Sequence, residues 1–250
     1  MAKPPETAPE PRRKPRPPRA RSHGGRILGA ALAIGTTLGV GTGLHQAGNP
    51  AAPTRVCGGT ERWNVKVAND ADAPKIEPNP TGPYSVAALN AVLPGPVDAG
   101  GRMDVEKKEY TVRGFLSYFK SEDDGDYHVV IADKPGDFTR GKVAPNGRSM
   151  VVEFPDPACF KGKSGLGGAT SALGQTLAEA RAAFEGGTSA LNGAKISKPV
   201  AVTVTGVGFF DFDHGQTGRS TPHPGADGQS KVFELHPVTA ISFDDGSEPD

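Results

Sequence analysis

The 250-residue chain lacks most of the short signatures that announce a chemistry. Its two cysteines, Cys57 and Cys159, are far apart, so there is no C-x-x-C zinc or redox pair. There is no H-E-x-x-H and no G-x-S-x-G, which removes the common zinc-protease and serine-hydrolase patterns. Gly162-Lys163-Ser164 resembles the end of a phosphate loop, but the upstream glycine position is Pro157. Gly165 to Thr170 lacks the third glycine of a dinucleotide fingerprint. Hydrophobic residues make up only 36% and aromatics 6%, which excludes a polytopic membrane protein.

Glycine and proline are abundant, at 34 and 24 residues, so the compact part must be turn-rich and smaller than the whole chain. The net charge of zero hides a split. Residues 1–26 carry eight Lys/Arg against two Glu, and the remainder is acidic by the same margin of six. This leader has seven prolines and no large apolar residue after Met1, so it reads as a disordered basic tail. Ile27 to Leu44 follows without a charge and is long enough to cross a bilayer. Basic residues before such a run mark the cytoplasmic side. The expectation is a single-span anchor over 27–47, with the amino end cytoplasmic and the carboxyl-terminal domain outside the cell. Secretion after signal cleavage is the alternative, although His45 and Asn49 spoil the nearest cleavage sites. Gly35, Gly39 and Gly43 form G-x-x-x-G pairs, which a glycine-rich anchor also contains by chance. An even cysteine count confined to the exported part predicts a Cys57–Cys159 disulfide over two separate buried thiols.

Residues 48–104 read as a linker and irregular extension. Glu61 to Val67 alternates and predicts a short strand. Pro74, Pro78, Pro80 and Pro83 suit an extended surface path, and Ser85 can cap a short helix before Pro94. Residues 105–245 read as the main domain. Strands are predicted at Tyr110–Lys120, Tyr127–Asp133, Ser149–Phe154, Pro199–Asp211 and Lys231–Phe243. Gly114 suggests a bulge in the first, and Pro237 a bend in the last. Leu173, Leu177, Ala180, Arg181 and Phe184 recur at helical spacing, with Gly186-Gly187 as the stop. The order β-β-β-α-β-β predicts a mainly β fold. It is that of a small OB-like five-stranded β-barrel with one helix between strands three and four.

Five segments occur in order: Glu61-Arg62-Trp63, Asp124 to Asp133, Phe154 to Cys159, Gly206 to Gly218 and Glu234 to Pro237. With them, residues 57–243 resemble a group of uncharacterised exported bacterial proteins, and the resemblance implies no established activity. Arg219 to Phe233 is longer than the corresponding stretch in that group and adds His223.

Chemistry-bearing side chains concentrate in these segments. Asp211, Asp213, His214 and Gln216 follow the fourth strand, while Glu234 and His236 share one face of the fifth. With His128 they form the candidate ligand site, gathered at one barrel edge. Imidazole and carboxylate together can hold a divalent metal, with His214 and His236 as candidates, or do acid–base work. Asp-His-Gly-Gln-Thr-Gly is equally a good turn, and no spacing dictates a metal or another cofactor. Glu122, Asp123, Asp124 and Asp126 read as a solvated hairpin tip, since they lack EF-hand spacing. The expected function is a membrane-anchored extracytoplasmic binding or structural module for a protein, glycan or small ligand. A metal-dependent or His/Asp-based hydrolase is the alternative. The acidic balance outside the tail argues against nucleic acid, whose affinity rests on Lys and Arg.

Overall fold

Period-two alternation turns one side of each long strand inward and builds a closed barrel. A computed structural model describes residues 57–58, 61–99, 101–160 and 171–244. The expected tail, the expected anchor over 27–47 and both glycine-rich near-motifs lie outside the described residues. Among the described residues no helix is long and apolar enough to cross a membrane. The elements in order are α1 (Trp63–Lys66), β1 (Glu77–Ser85), α2 (Val86–Leu89), β2 (Lys108–Ser121), β3 (Tyr127–Ala132), and the short pair β4 (Phe138–Thr139) and β5 (Lys142–Val143). They continue with β6 (Ser149–Phe154), α3 (Pro157–Phe160), α4 (Gly174–Thr188), β7 (Val200–Phe212), β8 (His223–Pro224) and β9 (Ser230–Phe243).

Strands β2, β3, β6, β9 and β7 pair in that order, and β7 returns to β2 to close the ring. All neighbours are antiparallel except β6 and β9. This is the five-stranded arrangement of an OB-like barrel, mainly β as its alternation predicts. Within the barrel ring β2 serves two partners, running beside β7 over its first half and β3 over its second. The bulge of β2 lies between Leu116 and Tyr118, not at Gly114. Gly114 instead lets Ala132 approach, since a Cβ there would sit 2.8 Å from its carbonyl oxygen. The pairing of β7 with β9 is irregular around Gly206 and Gly208, opposite the stretch that holds Pro237.

Leu116, Ile131, Val152, Phe154, Val204, Phe210, Phe233 and Leu235 fill the interior. α4 closes one end of the barrel through Ala180 and Phe184, and Phe184 stacks on Phe154 with ring centroids 4.6 Å apart. Full burial of one such aromatic is worth about 2–3 kcal/mol. α4 runs on through Gly186-Gly187, where the sequence predicts a stop. Gly187 is where the Phe243 ring packs against the helix, so its missing side chain serves close approach instead.

Glu61 to Val67 is the other correction, because the segment forms α1 and not a strand. Helical spacing puts Arg62 and Lys66 on one side, where both lie over the Phe209 ring at 4.5 and 5.3 Å. Val67 and Trp63 face Phe160 and Leu177 on the other side. The proline-rich path is extended and exposed as β1, which adds a parallel strand beside β2. Ser85 caps α2 by accepting from the Ala88 amide at 3.1 Å. The Cys57–Cys159 disulfide is formed, with Cα atoms 5.4 Å apart.

Candidate functional site

On a simple barrel the outward residues of β3, β6, β7 and β9 face water. Here residues 61–76 cover the outer side of β7, and the 214–217 loop meets β3, where the Thr217 carbonyl faces His128. Ala68, Ala73 and Ile76 pack on Val207 of β7, and Arg62 and Lys66 cover Phe209. Alternation therefore places His128, Glu153, Asp211, Glu234 and His236 on the outer wall but under a lid of protein. All five are buried.

Glu153 is the centre of this wall. It lies opposite His128 across β3 and β6. Its Oε1 is 3.0 Å from His128 Nδ1, and its Oε2 is 3.0 Å from His236 Nδ1. His128 Nε2 is 2.8 Å from the Thr217 carbonyl, which can only accept, so that nitrogen carries a proton. Burial opposes a charge on His128, but Glu153 outweighs it and raises the pKa. Glu153 itself is driven well below the usual carboxylate range, against its burial, by the charge of His236 and the hydrogen bond of His128. Both carboxylate and carbonyl thus favour the protonated form of His128, which can donate from both nitrogens. Burial likewise opposes charge on His236, and Glu153 and Asp126 raise it to about 9. His236 Nε2 lies 3.7 Å from Asp126 Oδ2. Neither nitrogen of His236 is in hydrogen-bond geometry, so these contacts are electrostatic.

Beside this cluster lies a cavity of about 370 Å³. The loop between β2 and β3 supplies Glu122 and Asp124, and the loop between β7 and β9 supplies His214 to Thr217. His128, Glu153, Asp211, Glu234, Lys66 and Lys120 complete it. Gln216 donates to Glu234 Oε1 at 3.2 Å and to the Phe212 carbonyl at 3.0 Å. Glu234 Oε2 is buried without a hydrogen-bond partner among the described residues. Burial, then Asp211 and Glu153, pushes the Glu234 carboxyl well above its ordinary range. Lys66 reaches Asp211 at 3.7 Å and stays charged against its burial.

Glu61 completes the acidic group. It accepts from the Phe212 amide at 3.0 Å, and burial followed by a hydrogen bond with Asp211 raises it from 4.5 to about 7. A carboxyl with a raised folded-state pKa binds its proton more tightly in the native chain. Its contribution is therefore complete below pH 4.5 and is lost as pH rises through about 7. After allowance for its partial exposure, that loss is about 1–2 kcal/mol. Glu61→Gln should remove this part of the slope while keeping an acceptor for Phe212. Urea midpoints of both proteins at pH 5 and pH 8 check it, and parallel profiles would refute the assignment.

The structure thus brings His128, Asp211, Gln216, Glu234 and His236 onto one wall. His214 sits at the rim with its side chain 66% exposed, 3.6 Å from Asp211. It shares no carboxylate partner with His236. Asp213 turns away to pair with Arg219 at 2.8 Å. The acidic turn is not wholly solvated, because Asp126 is 1% exposed and accepts from the Asp156 amide at 2.9 Å. The longer stretch after Arg219 forms β8, and His223 donates from Nε2 to the Asn90 carbonyl at 2.8 Å. Sequence reasoning misses Glu153, Lys66 and Glu61 as site residues. The available signal for Glu153 is its position between Val152 and Phe154, opposite His128.

No protein-family model and no curated protein matches the chain. Among solved structures, the small single-stranded DNA-binding protein from Streptomyces coelicolor is similar at 13% identity and a TM-score of 0.27. The match covers 56% of this chain and 96% of that one. The barrel topology rests on the strand pairing above.

Proposed function

We propose that the chain is an extracytoplasmic binding module, held at the cell membrane by residues 27–47, whose ligand presents an ammonium or guanidinium group. The observation that supports this is the cavity of about 370 Å³ beside β3 and β6, the second and third barrel strands. In OB-like barrels that face and the two loops flanking it are the usual binding surface. Its lining is rich in acceptors, and the buried Glu234 Oε2 lacks a donor. A ligand cation gives Glu234 the counter-charge that its acidic neighbours deny it. The lysines offer little to a phosphate, because Lys120 is paired with Glu122 at 2.8 Å and Lys66 lies over Asp211. Nucleic acid is for that reason a poor fit.

The test is a titration of the full chain in detergent with spermidine, followed by calorimetry and by the fluorescence of Trp63, the single tryptophan. Trp63 stands on the helix that covers the wall. Saturable binding is expected, weakened about 10- to 100-fold by Glu234→Gln, as losing a charged hydrogen bond implies. Absence of saturation, or tight binding of an oligothymidylate unaffected by Glu234→Gln, would overturn the reading.

A further inference from the structure

We propose that Asp126, Glu153 and His236 form a binding site for a divalent transition-metal ion of the zinc class. The inference stands apart from the identity of the cavity's ligand. One ligating atom from each of the three residues lies within 4.8 Å of the other two, and all three residues are buried. His236 is 1% exposed, and neither of its ring nitrogens makes a hydrogen bond among the described residues. A buried imidazole without hydrogen bonds is rare and calls for a cause. Glu153 Oε2 lies 3.0 Å from His236 Nδ1, near the separation of about 3.3 Å that bonds of about 2.0–2.1 Å impose around a tetrahedral zinc ion, and Asp126, whose Oδ2 is 3.7 Å from the other ring nitrogen Nε2, completes the set within 4.8 Å.

The surroundings are those of an oriented ligand set. Asp126 Oδ1 is held by the Asp156 amide, which leaves Oδ2 toward His236. Glu153 Oε1 is held by His128 Nδ1, which leaves Oε2 toward His236. Outer partners of this kind fix ligand orientation in metal sites. His128 cannot itself be a ligand, because Thr217 and Glu153 take both of its nitrogens. The neighbouring Glu122–His128–Glu153 group therefore lacks a nitrogen lone pair and falls out of consideration. One imidazole with two carboxylates suits zinc and related ions better than calcium or magnesium, which prefer oxygen alone. Glu153 also lines the cavity, so the ligand set borders it.

The experiment uses the full chain stripped with chelator, dialysed, and titrated with Zn²⁺ by calorimetry and with Co²⁺ by visible absorption. One equivalent should bind, with the d–d bands of a cobalt ion in a low-symmetry nitrogen and oxygen site. His236→Gln should abolish both signals. His128→Gln, which frees Glu153 Oε1, should weaken binding about 10- to 100-fold. His214→Ala, at the exposed rim, should leave affinity and spectrum unchanged. Far-UV circular dichroism confirms that each variant is folded. If a variant does not fold, the wild-type stoichiometry and cobalt spectrum decide alone. Absence of stoichiometric binding to the wild type overturns the proposal. So does a His214→Ala loss equal to that of His236→Gln, which would move the metal to the rim.

Discussion

Reduction of the Cys57–Cys159 bridge is expected to lower the unfolding free energy by about 3–5 kcal/mol. The bridge spans 102 residues, which contain α1, β1 and three barrel strands. Closing a loop of that length removes about 4.7 kcal/mol of chain entropy from the unfolded ensemble in the entropic account. The native end is well supported. Cys159 is buried in α3, whose first turn is fixed by the Asp156 side chain accepting from the Ala158 amide at 2.9 Å. Cys57 lies just before the segment that covers the outer wall, so the bridge also fastens that cover. Guanidinium melts of the oxidised protein, the reduced protein and the Cys57→Ser/Cys159→Ser variant should show the two latter to agree. Trp63 emission should report loosening of α1 in both. A reduced protein within about 1 kcal/mol of the oxidised one would mean that residual denatured structure already holds these ends together.

The barrel was legible in the sequence because one side of its wall follows ordinary rules. Val152 and Phe154 alternate with Glu153, and Phe233 and Leu235 with Glu234, while Val129 and Ile131 share the same inward side, and inward burial sets these strands. Glu61 to Val67 alternates equally well and still folds as a helix. What decides it is the barrel wall itself. Arg62 and Lys66 meet Phe209 only at helical spacing, and Phe209 is more than 140 residues away. The same long range hides Glu153. Within SMVVEF it looks like a solvated outward residue, and only the pairing of distant strands makes it a buried charge between His128 and His236. His214 misleads in the opposite direction. Its Gly-flanked motif draws the eye, but a turn that reaches the rim leaves its side chain in water. The candidate site was therefore legible as a set of strands, and not as a set of contacts.

Arg102→Ala is expected to cost about 3–5 kcal/mol, the range for breaking a buried ion pair. Arg102 is completely buried. It donates from Nη2 and Nε to Asp70 at 2.7 and 3.0 Å, from Nη2 to the Val65 carbonyl at 2.9 Å, and from Nη1 to the Glu106 carbonyl at 2.9 Å. Alanine leaves a largely buried carboxylate and two carbonyls without their donor, together with the volume of the lost side chain. The damage should spread to the site. Glu106 accepts from Arg62 at 2.7 and 2.8 Å and from the Phe210 amide at 2.8 Å, so the turn that Arg102 organises ties α1 to β7. A double-mutant cycle with Asp70→Ala separates the pair from the rest. Removing Asp70 first should make the later loss of Arg102 much milder, with about 2–3 kcal/mol of coupling. Arg102→Lys should recover only part of the loss, since one ammonium cannot reproduce the fork that meets Asp70 and Val65 together. Additive losses in the cycle, or an Arg102→Ala cost below about 1 kcal/mol, would show that apolar packing on Val207 and Phe209 holds the cover without this network.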